Sequence, residues 1–200
     1  MQQSNNYVIG VTGITGSGSS TVAKILEEHR GYVIEADELA HDLVLKGNQA
    51  YEDIVKTFGK KVLSKGKEID RKKLGSIVFN DNEKMKTLEK IIHPLVMEHT
   101  WNLIWASTAP FVVIDAPLLI ESGMYKLCKS IWLVTADDHR RIERVKARDE
   151  ISQEEAQQRI ISRHGEDALR PHVDVIIENN DDMAELRVLV REALGKENYN

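Results

Sequence analysis

Apolar residues recur along this chain with two different periods. Five short unbroken runs read as strands buried on both faces: YVIGV (7–11), YVIEA (32–36), FVVID (111–115), IWLVT (131–135) and VDVII (173–177). Elsewhere apolar positions return at helical spacing. These stretches are Ser20 to about Arg30, DELAHDLVLKG from Asp37, 137–148, 152–164 and 182–194. In the first of them Val22, Ala23, Ile25 and Leu26 make the apolar side. Buried strands separated by helices predict an α/β fold with a parallel sheet covered on both faces.

About 75 residues between the second and third runs contain no strand pattern, too many for a simple crossover. Helical patterns fill them at 48–58, 71–79, 83–92 and 94–107, with His93-Pro94 reading as a helix boundary. The expected organisation is one domain: a core over about 1–46 and 110–200, and an inserted helical subdomain over about 47–109. Its hinges fall near Gly47 and Pro110.

Composition narrows the function classes. The chain has 200 residues, 42% apolar and 30% charged, with a formal charge of −5 and no basic tract, which argues against a nucleic-acid partner. No apolar run approaches a membrane span, and the first residues, MQQSNN, lack the marks of a signal peptide. Cys128 is the only cysteine, so a reducing, cytoplasmic setting is expected. No zinc-ligand spacing appears, and nothing defines an oligomeric interface.

The candidate chemistry begins directly behind the first strand run. GVTGITGSGSST (10–21) follows the phosphate-loop pattern G-x-x-x-x-G-K-[ST] except at one place. Gly13 and Gly18 hold the glycine positions and Ser20 the hydroxyl position, while Ser19 stands where the pattern has lysine. Main-chain N–H groups of Gly13, Ile14, Thr15, Gly16, Ser17, Gly18, Ser19, Ser20 and Thr21 are placed to wrap phosphates, and the helix N-terminus adds partial positive charge. Ser20 is the expected Mg²⁺ ligand, and Thr21 is placed to help cap the helix. None of this needs a lysine side chain, whereas countering charge on a moving phosphoryl group does. The bland alternative is a glycine-rich turn without a ligand.

With its downstream segments the chain resembles the dephospho-CoA kinase family from about Val8 to Leu194. The family's T-G-G-I-G-S-G-K-S-T-V-A is similar to TGITGSGSSTVA (12–23), and its D-A-D-x-x-A-H to EADELAH (35–41). Its R-x-x-L-x-x-x-V-F is similar to RKKLGSIVF (71–79), its L-x-x-I-x-H-P-x-V to LEKIIHPLV (88–96), and its D-x-P-L-L-x-E to DAPLLIE (115–121). The lid segment resembles RRIERVKARDEISQEEAQQRI (140–160), and A-D-x-V-I-x-N resembles VDVIIENN (173–180).

The resemblance implies a five-stranded parallel P-loop kinase core, a helical CoA-binding insertion and a helical lid over about 137–164. It implies ATP-dependent, Mg²⁺-assisted phosphorylation of the ribose 3′-hydroxyl of dephospho-CoA. Asp37 takes the position of the catalytic base, at the carboxyl end of a parallel strand where ligands bind such sheets. Arg144 and Arg148 match lid arginines that clamp the transferring group, with Arg140 on the same helical face reaching the nucleotide. Thr12, Glu35, Arg71, His93 and Asp115 fall on the substrate side, and Asp115 is also placed to hold Mg²⁺ through water. Glu35 replaces the family's Asp and, if the strand ran on, would share a face with Asp37. Arg163 stands where the family commonly has Gln and is a candidate substitute cation for the missing lysine.

Each has a structural alternative: an N-cap for Asp37, a turn residue for Asp115, a solvated face for the arginines, and packing for Trp101 and Trp105. At the level of function, a nucleotide-binding module that transfers nothing and a kinase for another hydroxyl acceptor stay open.

Overall fold

The computed structural model describes residues 6–161, 166–197 and 199. In chain order its elements are β1 (Tyr7–Gly13), α1 (Ser19–Glu28), β2 (Tyr32–Glu35), α2 (Ala36–Leu43), α3 (Gln49–Phe58), α4 (Arg71–Val78) and α5 (Asn82–Ala106), followed by β3 (Phe111–Asp115), β4 (Ser130–Thr135), α6 (Asp138–Asp149), α7 (Gln153–Ile161), α8 (Glu166–Leu169), β5 (Val175–Glu178) and α9 (Met183–Leu194). The chain divides into two compact units, Met1–Glu35 with Ile104–Asn200, and Ala36–Leu103. The division falls at Ala36 and Leu103 rather than near Gly47 and Pro110. At the first boundary α2 starts directly where β2 ends, with no loop between them.

The first unit holds one sheet in the order β2-β3-β1-β4-β5, with every pairing parallel. Each apolar run predicted as a strand forms one. β1 extends past Val11 because Thr12 and Gly13 stay in register with Leu133 and Val134 of β4. β5 starts later than expected because Asp174 uses its side chain in place of a ladder partner. Its Oδ2 accepts from the Ile131 N–H at 2.8 Å while its own N–H donates to the Ile131 carbonyl at 2.8 Å.

Side chains alternate across each strand, so one face of the sheet presents Ile9, Val11, Phe111, Val113, Trp132 and Val134. These pack on Val22, Ile25 and Leu26 of α1 and on Leu186 and Val190 of α9. Burying each large side chain there contributes about 1.5–3 kcal/mol. At the amino end of the sheet the Glu197 carboxylate accepts hydrogen bonds from Tyr7 Oη (2.5 Å), Ser130 Oγ (2.7 Å) and Trp132 Nε1 (2.8 Å). A buried indole N–H thus finds the partner it needs.

In the second unit Ala50, Tyr51, Ile54 and Phe58 of α3 are buried, as are Val62, Leu74 and Val78. The Tyr51 hydroxyl donates to the Lys67 carbonyl at 2.5 Å, and Asp70 caps α4 by accepting from the Lys72 and Lys73 N–H groups. α5 corrects the sequence reading: one helix of 25 residues runs through His93-Pro94. Proline removes one intrahelical N–H, which orphans the carbonyl of Lys90. Lys90 and Pro94 both lie on the exposed side, where water can take that carbonyl, so the helix continues.

Candidate active site

The loop from Gly13 to Ser19 joins the central strand to α1 at the carboxyl edge of the sheet. The Ser17 N–H donates to the Ile14 carbonyl at 3.0 Å, closing a turn with Gly16 in third place at φ +83°. A Cβ on Gly16 would lie 2.8 Å from the Arg141 carbonyl oxygen, so both conformation and space require glycine. Gly18, at φ +93°, is the N-cap of α1 and makes no side-chain cap. The Thr21 N–H donates to the Gly18 carbonyl at 3.0 Å. A helix-start N–H that has no carbonyl partner within its helix is available to an anion. Ser19 begins α1 half-buried and Ser20 follows it exposed.

The outer side of the loop is tied down through its carbonyl groups. Arg141 Nε donates to the Thr15 carbonyl at 3.0 Å, and its Nη1 to Asp138 Oδ1 at 2.6 Å. Arg144 Nη1 donates to the carbonyls of Gly16 (3.4 Å) and Ser17 (3.3 Å). Asn179 Nδ2 donates to the Ser17 carbonyl at 2.7 Å, and Arg144 Nη2 to the Asn179 carbonyl at 2.9 Å. Partial burial, and then the neighbouring Arg140 guanidinium, lower the pKa of Arg144. The predicted clamp arginine Arg144 is thus held against the loop's carbonyls.

Beside the loop, Asp115 ends β3 in register with Val11 of β1 and Glu35 of β2. Asp115 is buried and Glu35 exposed. Thr12 is fully buried, and its hydroxyl donates to the Pro117 carbonyl at 3.5 Å. Glu35 closes its strand and Asp37 lies in the first turn of α2, so strand alternation does not relate them and Asp37 is no N-cap.

Arg140 and Arg148 are exposed on α6. Arg148 Nε donates to Asp149 Oδ1 at 2.7 Å, and Arg159 Nη1 of α7 to Asp149 Oδ2 at 2.5 Å. Arg163 lies outside the described residues.

Within the second unit, Asp37, His41 and Arg71 line one cleft of about 520 Å³, with Leu74 and Ile92 as apolar wall. Arg71 Nη2 lies 2.9 Å from His41 Nδ1. A guanidinium only donates, so His41 accepts at Nδ1 and keeps its proton at Nε2. Asp37 and Arg71, predicted separately, are brought together here. His93, half-buried on α5, is not among the residues lining the cleft.

Asn179, Arg141 and His41 lie in segments that resemble the family, but the sequence assigns none of them an individual role. Asn179 had a usable signal, a polar residue directly after a parallel strand. Arg141 had none, because helical spacing placed Arg140 and Arg144 together and left it on another side. Among the described residues no group of three or more His, Cys, Asp or Glu is placed to hold a metal ion, and no helix is long and apolar enough to cross a membrane.

A parallel sheet in this order, with a glycine loop running from its central strand into a helix N-terminus, defines a P-loop kinase, an ATP-dependent phosphotransferase. The model of one such family, "Dephospho-CoA kinase", matches residues 7–185. A dephospho-CoA kinase of Fusobacterium nucleatum is 40% identical over 179 residues, covering 90% of this chain and 92% of its own. The solved dephospho-CoA kinase from Campylobacter jejuni is 26% identical with a TM-score of 0.61, covering 96% of this chain and 98% of its own. The crystal structure of TT1252 from Thermus thermophilus reaches a TM-score of 0.82 at 30% identity, covering 96% and 97%. The chain belongs to the dephospho-CoA kinase family.

Proposed function

We propose that this protein, placed in the cytoplasm, transfers the γ-phosphoryl group of ATP to the ribose 3′-hydroxyl of dephospho-CoA. The bond from O3′ to the γ-phosphorus forms, the bond from that phosphorus to the bridging oxygen breaks, and coenzyme A and ADP leave. The observation that carries this reading is a glycine loop running into a helix start inside a chain matched to the family over residues 7–185.

Asp37 accepts the hydroxyl proton and orients O3′ for attack. Arg71, with its guanidinium on His41, supplies positive charge to the acceptor's phosphates. Loop N–H groups hold the β- and γ-phosphates, Arg140 reaches the nucleotide, and Arg148 offsets charge on the moving group, while Arg144 acts through the loop carbonyls it holds. Thr12, Glu35, Asp115 and His93 complete the substrate side. Mg²⁺, when bound, would supply charge neutralisation between the phosphates. The exposed Ser20 hydroxyl fits it, because this ion keeps several waters and takes one or two protein oxygens.

Ser19 favours a second reading, in which the loop binds nucleotide without transferring phosphate. Dephospho-CoA-dependent ADP release, with the product identified by mass, decides between them. The native chain should turn over, and Ser19→Lys should raise kcat by about 10²–10³, the worth of one well-placed transition-state donor. Turnover only in Ser19→Lys would establish the binding reading for the native chain. Absence of turnover in both, with ATP bound, would point to another acceptor.

A further inference from the structure

We propose that Asn179 is a positioning residue for the phosphate loop, setting the shape in which the loop receives a polyphosphate. The inference rests on the reading that the loop holds the triphosphate of ATP. A peptide that turns its N–H toward an anion turns its carbonyl away. Here the carbonyls of Thr15, Gly16 and Ser17 each receive a donor: the Arg141 guanidinium, the Arg144 guanidinium, and Arg144 with the Asn179 amide.

Asn179 is the residue that joins these contacts to the sheet. Its N–H donates to the Thr135 carbonyl at 2.8 Å, extending the ladder between β4 and β5 by one residue. The residue is 5% exposed. Nδ2 donates to the Ser17 carbonyl at 2.7 Å, and Oδ1 accepts from Arg144 Nη2 at 3.2 Å. The fit is close, since a Cβ on Gly18 would meet Asn179 Nδ2 at 2.4 Å. One amide therefore orients the Ser17 carbonyl, holds the arginine on the neighbouring carbonyls, and limits residue 18 to glycine.

The arrangement bears on the serine that stands where the loop pattern has lysine. With no cation on residue 19, attraction for phosphate comes from the loop's N–H groups and the helix end. Two guanidiniums bonded to the Thr15 and Ser17 carbonyls polarise the peptides that carry the Gly16 and Gly18 N–H groups, strengthening these two as donors. Asn179 holds one of these cations in place without exposing its own charge-neutral amide to the ligand.

Isothermal titration of the full chain with Mg-ATP, inorganic triphosphate and dephospho-CoA tests this, comparing wild type with Asn179→Ala and the isosteric Asn179→Asp. Melting curves without ligand are recorded alongside, and titrations run where circular dichroism shows native helix content. Both variants should weaken ATP and inorganic triphosphate in parallel by about tenfold or more, while dephospho-CoA is unaffected. Asn179→Asp should be the weaker binder, because a carboxylate has no proton to donate to the Ser17 carbonyl and adds negative charge behind the loop. Triphosphate affinity within twofold of wild type in Asn179→Asp would overturn the proposal. So would an equal loss for dephospho-CoA, which would mark a merely structural role. Failure of the wild-type chain itself to bind ATP or triphosphate would instead overturn the reading of the loop.

Discussion

Asp149, the last residue of α6, accepts a hydrogen bond from Arg159 of α7 at 2.5 Å. The same carboxylate accepts from Arg148, so one anion joins two cations across the turn between these helices. Glu150 makes that turn with φ +53°, a left-handed conformation disfavoured for a side chain of this type. Hydrogen bonding from Arg148, and then charge attraction to Arg148 and Arg159, hold the Asp149 carboxyl below the usual carboxylate range. A lowered folded-state pKa means that its contribution is present above about pH 4 and is lost as pH falls through the folded value. The protection of α7 amides, taken relative to the intrinsic base-catalysed exchange rate at each pH, should therefore fall on acidification. Asp149→Asn should show the lower protection already at pH 7 and respond less to acid.

Asp37→Asn separates chemistry from nucleotide binding. The side chain keeps its size in the first turn of α2 but cannot take a proton. Expected is a fall in kcat of about 10²–10⁴ with the ATP dissociation constant unchanged, read by steady-state kinetics beside titration. A fall in ATP affinity of the same size would assign Asp37 to the nucleotide instead.

Tyr7 provides an alkaline counterpart to Asp149. Burial and the hydrogen bond to Glu197 push its hydroxyl up to about 12. A raised folded-state pKa gives a contribution that is complete below about pH 10, the ordinary value, and lost as pH rises through about 12. In an ultraviolet titration of the five tyrosines, Tyr7 should ionise last. Tyr7→Phe should remove that final step and flatten the loss of stability above pH 10.

Cys128 should be inert in the native protein. Burial raises its thiol to about 12, so the thiolate fraction at pH 8 falls about 10³-fold below that of an ordinary cysteine. Reaction of this half-buried thiol with a disulfide reagent should then be far slower than that of an ordinary cysteine and quicken on unfolding. The same packing makes Gly10→Ala costly, since a Cβ there would lie 2.7 Å from Cys128 Sγ and 2.7 Å from Leu119 Cδ2. A loss of about 1–3 kcal/mol is expected in denaturant unfolding.

Local sequence determined the elements and the kind of ligand. Unbroken apolar runs such as FVVID are buried on both faces wherever they pair, so strand and parallel sheet followed from period alone. Glycines 13, 16 and 18 behind an apolar run placed an anion loop at a strand end, because only certain backbones can turn and approach a phosphate there.

What sequence could not decide is which side chain faces which partner across long separations. Pro94 read as a stop because the rule is local. Whether the orphaned carbonyl meets water or protein depends on the helix's exposed side. Arg140, Arg144 and Arg148 read alike as one face, yet Arg144 reaches the carbonyls of Gly16 and Ser17 while Arg148 pairs with Asp149. Asn179 lies 162 residues from Ser17, and its 2.7 Å bond exists because β5 and the loop after β1 end at the same sheet edge. Periodicity reports the environment of one segment, whereas such contacts are set by strand order and register, which only the folded chain determines.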